Sequence, residues 1–387
     1  MATDVPASPA SPAPEELALL RGGWHDTWRD VREEDTAQVV RLLSQGTLSQ
    51  VSGGVLARFE KRFTRFAGAR HGTAFNNGTA SLYAALWACG VRAGDDVLVC
   101  DYGFHGVAAA VLALGARVVP VDCQAGSLTM HPGDLAAART PSSRAVLVHN
   151  PWGVPADFQA IRASCPDLPI VSDASHAHGA TYRESGLATW ADVTCFSLGV
   201  KKLITGGELG CAVTDSARLR DRMVLFGHPN RVPQDLLEAG WAGNSLGLKL
   251  RPHIVALTLA YAQVGRYEEK RASLVATCGQ IEEALRPHGF IPQQVPAGSG
   301  RVWWRIVLRL DEDLFGGIPT EVVVLQGQSI FDWPDHTDRV VRRPCPTAAR
   351  ECPRLVTLPA PAVMSREKID AAARLARRVS AGHDSRR

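Results

Sequence analysis

Lysine is scarce in this chain: of 42 Lys and Arg residues only Lys61, Lys201, Lys202, Lys249, Lys270 and Lys368 are lysine, so the basic surface is built from arginine. The nine cysteines lie singly, mostly within apolar runs, with neither a disulfide-like framework nor C-x-x-C metal spacing. They read as small buried hydrophobes of a reducing compartment. No apolar run approaches the length of a membrane span, and the opening Met1-Ala-Thr-Asp-Val-Pro lacks the basic and apolar regions of a signal peptide. A cytoplasmic location is the expectation. Charge of one sign is lacking too: a formal net charge of +3 with scattered basic residues predicts neither a nucleic-acid stripe nor a membrane patch. No G-x-G-x-x-G follows an early strand, which argues against a dinucleotide fold.

What is present is a chain of 387 residues, 45% hydrophobic and 21% charged, long enough for one large domain and a smaller one. Residues 1–14 are rich in Pro, Ala and Ser and read as a disordered tail. Helical spacing predicts helices over 33–43 and 55–66, joined by a hydroxyl- and glycine-rich loop, Gly46 to Gly54, placed to reach an active site. Short apolar strands at 96–100, 117–121, 144–149, 169–172 and 193–197 then alternate with helices at 105–114, 132–138 and 157–164. That order implies βαβ units and a mainly parallel sheet covered on both faces. After a helix over 217–226, a long helix reaches Leu285. Beyond it 302–310 and 321–326 read as strands and 368–379 as a closing amphipathic helix. The expected domains are 15–250 and 251–387.

Ligands of such sheets bind beyond the carboxyl ends of the strands. The residues that follow those ends are Asp101, Tyr102 and Phe104; Asn150 and Trp152; Asp173 and His176; and the segment Ser197 to Lys202. A lysine delivered there by a buried strand is a candidate for covalent amine chemistry, although a lysine pair in a loop is ordinarily two solvated charges. Gly78 and Thr79 open a helix, where free N–H groups and the dipole attract phosphate; a plain N-cap by Asn77 or Thr79 is the simpler alternative. Asp173 is equally readable as an N-cap. His176 and His178 are two apart, but no Cys or acidic partner completes a metal site, so none is expected.

Taken in order over residues 28–285, these motifs resemble the DegT/DnrJ/EryC1/StrS family of pyridoxal phosphate (PLP)-dependent sugar and aminocyclitol aminotransferases. The segments that carry the resemblance are Asn77-Gly-Thr-Ala80, Gly94-Asp-Asp-Val97, Trp152-Gly-Val-Pro-Ala-Asp157, Asp173-Ala-Ser-His-Ala-His-Gly-Ala180, Phe196-Ser-Leu-Gly-Val-Lys-Lys202 with Gly206-Gly-Glu208, and Gly247-Leu-Lys-Leu-Arg-Pro-His253.

The resemblance implies fold type I: a large PLP-binding domain with a mainly parallel sheet covered by helices, plus a smaller C-terminal α+β domain. It implies Lys202 rather than Lys201 as the Schiff-base lysine, Asp173 as partner of the pyridine nitrogen, Phe104 stacked on the ring and His176 beside it. Gly78, Thr79 and Ser197 would hold the phosphate, with Lys249 added by the partner of a homodimer with shared active sites. Asn150, Trp152 and Arg251, with Arg305 as a second arginine, are candidates for binding substrate. The implied reaction moves an amine from glutamate or glutamine to a cyclic keto-sugar or keto-cyclitol, as in antibiotic biosynthesis. Other PLP chemistry (elimination, dehydration or decarboxylation) and a non-catalytic homologue are the alternatives. Family dehydratases carry His where Lys202 stands. The chain departs from the family pattern at Gly199-Val200, at Leu209, at Asn150, and in a short 311–350 segment.

Overall fold

The computed structural model describes residues 31–228, 230–231, 247–310 and 338–360, with the single positions 238, 370 and 374. The expected tail (1–14), the strand at 321–326 and most of the helix at 368–379 lie outside the described residues.

Two helices open the described chain, α1 (Glu33–Ser44) and α2 (Gly54–Ala67). Helix α2 buries Val55, Leu56, Phe59 and Phe63, spaced to share one face, and Gly68 ends it in the left-handed conformation at φ 72. The ring of Phe63 meets Phe196 edge-on at 5.1 Å, so this helix supports the strand that carries Ser197.

The central layer follows as β1 (His71–Phe75), α3 (Gly78–Ala88), β2 (Asp96–Cys100), α4 (His105–Ala113), β3 (Arg117–Val121), α5 (Pro132–Ala138), β4 (Ser143–His149), α6 (Phe158–Ser164) and β5 (Ile170–Asp173). A two-residue hairpin, β6 (Thr181–Tyr182) and β7 (Ser185–Gly186), precedes β8 (Val193–Ser197), β9 (Gly210–Thr214) and α7 (Ala217–Gly227). The seven-stranded sheet runs β1-β9-β8-β5-β4-β2-β3. β9 is antiparallel to both neighbours and the other pairs are parallel. Alternation sets the two faces: Leu98 and Cys100 of β2 enter one core, Val97 and Val99 the other. With both faces buried, the strands read in sequence as continuous apolar runs.

From β2 the chain steps outward to β3 and returns on the other side as β4, so the strand order switches direction between β2 and β4. The crevice beyond their carboxyl ends is where such sheets bind ligands. Helix α8 (Ile254–Leu285) crosses behind, and β10 (Phe290–Pro292), β11 (Arg305–Leu310), α9 (Pro346–Glu351) and β12 (Leu355–Pro359) follow, with the three strands forming an antiparallel sheet. Its Ile306, Leu308 and Val356 belong to the same apolar cluster as Leu98. The strand expected from residue 302 begins only at Arg305. Residues 302–304 leave the ladder because they contact the turn that follows β4 instead: the Val302 amide donates to the Gly153 carbonyl at 3.1 Å. Among the described residues no helix is long and apolar enough to cross a membrane.

Candidate active site

The start of α3 and the end of β8 touch. A Cβ placed on Gly78 would lie 2.6 Å from Ser197 Cβ, so only glycine lets the strand end reach the helix N-terminus. Asn77 Oδ1 caps the helix by accepting from the Ala80 amide at 2.8 Å. The first turn of any helix leaves amides without intrahelical partners, and here they stand beside the Ser197 hydroxyl. Capping by Asn77 is thus compatible with an anion at the remaining amides.

Asp173, at the end of β5, is buried. Its Oδ1 accepts from the Ser175 amide at 2.9 Å, and His149 Nδ1 of the neighbouring strand stands 3.5 Å from its Oδ2. Burial pushes this carboxyl up, but His149 and Ser175 outweigh burial and hold it below the ordinary value, so it is an anion at neutral pH.

Of the lysine pair, Lys201 is exposed while Lys202 turns inward. Burial lowers the Lys202 pKa to about 8 against the opposing pull of Asp173, which leaves part of the amine neutral under physiological conditions. The loop behind it is fixed by α8. Gln263 bonds Thr205 in both directions, at 2.8 and 3.0 Å, and Lys270 Nζ donates to the Leu203 carbonyl at 2.8 Å. Of the departures from the family pattern, Leu209 is wholly buried in the core and Val200 is exposed at the mouth of the cleft.

An aromatic wall completes the site. Trp152 sits at φ 59, an unusual conformation for an aromatic residue. It is held by its Nε1 donating to the Tyr102 hydroxyl at 2.6 Å and by its backbone amide donating to His176 Nδ1 at 3.3 Å. Trp304 stacks on His176 at 3.9 Å and on Trp152 at 5.3 Å. Burial first, then the charge of Lys202, holds His176 well below its ordinary pKa, so it is a neutral imidazole.

Gly78, Thr79, Phe104, Trp152, Asp173, His176, Ser197 and Lys202 thus line one cleft of ≈ 810 Å³. Phe104 stands at its edge, 54% exposed. Four expected residues, Asn150, Lys249, Arg251 and Arg305, do not line it. Asn150 is wholly buried, donating to Ser172 Oγ and the Asp173 carbonyl and accepting from the Ala156 amide. With both ends of its amide engaged, Asn150 ties β4 to β5 instead of facing a substrate. Lys249 and Arg251 lie outside the lining of this chain's cleft, and Lys249 is exposed. The Gly46–Gly54 loop contributes nothing to the lining either. Arg305 stands behind the wall, its guanidinium 5.6 Å from the Trp304 ring. His149, Tyr102 and Trp304 also line it; Trp304 was hidden in sequence because it reads as part of an alternating strand. His176 faces the cleft while His178 is packed on Phe196 at 5.5 Å, so the two do not converge, and no metal-holding cluster occurs among the described residues.

The sequence profile of the DegT/DnrJ/EryC1/StrS aminotransferase family matches residues 29–375. The chain belongs to this family. It is therefore a member of a family of PLP-dependent aminotransferases, and its cofactor is pyridoxal phosphate. The chain is 31% identical to L-glutamine:2-deoxy-scyllo-inosose aminotransferase of Streptoalloteichus tenebrarius over 69% of this chain and 65% of that protein. It is 29% identical to the spore coat polysaccharide biosynthesis protein SpsC of Bacillus subtilis over 76% and 77%. Among solved structures, 3-amino-5-hydroxybenzoic acid synthase superimposes with a TM-score of 0.81 at 24% identity, covering 93% of this chain and 98% of that one. S. venezuelae DesV, solved with a ketimine intermediate, gives 0.81 at 23%, covering 92% and 97%. The fold is the expected PLP-dependent one, with its mainly parallel sheet.

The cleft of this DegT/DnrJ/EryC1/StrS member fits the cofactor. The Gly78–Ser197 cradle that a Cβ would fill suits a phosphate, a buried anionic carboxylate suits a protonated pyridine nitrogen, and one buried amine faces the space between.

Proposed function

We propose that this protein transfers an amino group from glutamine or glutamate to a cyclic ketone, a keto-cyclitol or keto-sugar of a biosynthetic pathway, in two half-reactions. The observation that carries this is the convergence of Asp173, Lys202, Ser197 and the Gly78–Thr79 helix start on one cleft. The choice of donor and acceptor draws on relatives named as L-glutamine:2-deoxy-scyllo-inosose and L-glutamine:3-amino-2,3-dideoxy-scyllo-inosose aminotransferases.

When bound, pyridoxal phosphate supplies an electron sink for the carbon that gains or loses the amine. The chain's residues do the rest. The α3 N-terminus and the Ser197 hydroxyl hold the phosphate. Asp173 stays ionised to keep the ring nitrogen protonated, with His149 and Ser175 fixing its direction. Phe104 would cover one ring face, and His176 would flank the ring as a neutral imidazole. Lys202, with its lowered pKa, would take up and return a proton at its Nζ. In a homodimer, the exposed Lys249 of a second copy adds positive charge at the phosphate.

The test is spectroscopic. The purified protein should carry a visible cofactor band that glutamine or glutamate bleaches and a cyclic ketone restores; Lys202→Ala should lack it. Absence of the band in the wild type, or donor consumption that is indifferent to any ketone, would refute transamination, and the second outcome would favour other PLP chemistry.

A further inference from the structure

Transamination leaves the catalytic lysine free for half of each cycle, because the donor amino group that took its place resides on the cofactor. A free lysine lining this cleft, half-buried as Lys202 is, has four rotatable bonds and a strong preference for water. Something must keep its amine aimed inward.

We propose that Trp304 is a positioning residue for Lys202, the face of its indole being the seat that the lysine ammonium occupies whenever it carries no cofactor. Lys202 Nζ lies 4.3 Å from the centroid of the Trp304 ring, well inside the ~6 Å over which a cation is attracted to an aromatic face. The charge that acts on this amine is that of Asp173, and the neighbouring His176 and His178 are both held neutral by burial.

The ring is fixed on several sides. Its Nε1 donates to the Lys201 carbonyl at 2.6 Å, so the indole is tied to the residue next to the lysine it serves. The His176 imidazole lies parallel to it, with 12° between the planes, and Trp152 stacks on it with 14° between the planes. Trp304 directly precedes β11, whose first residue, Arg305, pairs with Pro359 of β12. The small sheet therefore delivers one rigid ring to the lysine loop of the large one. An aliphatic side chain at 304 would offer the amine neither the quadrupole nor the hydrogen bond to Lys201.

The inference rests on Lys202 being the cofactor's amine, and its first test is run without cofactor so that the two readings fail separately. Reductive methylation of the cofactor-free protein with 13C-formaldehyde labels its few lysines. One dimethyl-lysine resonance, lost in Lys202→Arg, should lie upfield of the others because the ring current shields groups above the indole face. Trp304→Leu should return it to the ordinary position, and Trp304→Phe should keep most of the displacement. With cofactor restored, Trp304→Leu should lower kcat about 2- to 30-fold with donor and acceptor KM unchanged, and Trp304→Phe should recover most of the loss. A Lys202 resonance at the ordinary shift in the wild type overturns the proposal without reference to any Trp304 variant. So does a Trp304→Leu enzyme with unaltered kcat and a raised acceptor KM, which would make the ring a substrate platform instead.

Discussion

Gly78→Ala sets two effects of opposite sign against each other. Alanine is favoured over glycine within a helix by up to ~1 kcal/mol, but Gly78 is the first residue of α3, where little of that gain is realised. Against it stands contact: the new methyl would lie 2.6 Å from Ser197 Cβ and 3.0 Å from Ser197 Cα. The second of these is backbone and cannot rotate away, so β8 and α3 must separate. Overpacking of this kind costs about 1–3 kcal/mol, so the cofactor-free variant should melt a few degrees below the wild type. The larger effect falls on the phosphate, because the helix amides and the Ser197 hydroxyl no longer converge. Loss of one charge-assisted hydrogen bond, about 1.5–3 kcal/mol, corresponds to roughly ten- to hundredfold weaker binding. The assay is a pair of titrations, pyridoxal phosphate against pyridoxal, which lacks the phosphate. Gly78→Ala should weaken the first and spare the second. Equal stability together with an unchanged ratio of the two affinities would show that this contact is not the phosphate seat.

Three further outcomes are expected. The Lys202 pKa falls from 10.5 to about 8 on folding, so between those values the unfolded chain binds the extra proton and stability climbs with pH; below about 8 the full cost of burying the ammonium is present. Cofactor-free Lys202→Met should therefore melt higher than the wild type at pH 7, by an amount on the order of 3 kcal/mol, with the advantage shrinking above pH 8; an advantage independent of pH would refute the assignment. Asn150→Leu should destabilise by about 2–4 kcal/mol in denaturant titrations, since it removes the side-chain partners of the buried Ala156 amide and Ser172 hydroxyl. Gly153→Ala should be the most damaging of these changes, because residue 153 sits at φ 95 and a Cβ there would stand 2.0 Å from the Val302 carbonyl oxygen; a soluble variant with a wild-type melting temperature would contradict this.

Much of the fold was legible because the central strands are buried on both faces, and a run such as Val97-Leu-Val-Cys100 between turn residues admits few other readings. The short helices between the strands were equally readable from spacing; that Asp157 and Ser216 cap two of the helices is what the structure adds. Motif spacing likewise marked Gly78, Asp173, Ser197 and Lys202, since each follows a strand end or opens a helix.

The sequence by itself determined the strand and helix order, through local periodicity, and the family with its cofactor, through short motifs that resemble those of the family and whose residues lie close together in the chain. Tertiary structure alone decided which side chains face the cleft. Lys202 turns in and Lys201 out because the loop between β8 and β9 is clamped by Gln263 and Lys270, more than fifty residues away. Asn150 is spent on the sheet while His149 backs Asp173, because parallel pairing sets residue 149 directly opposite residue 173. Trp304 leaves its strand because Lys201 and His176 offer it a hydrogen bond and a stacking partner. Such contacts join segments separated by tens of residues or more than a hundred, and no periodicity along the chain records them.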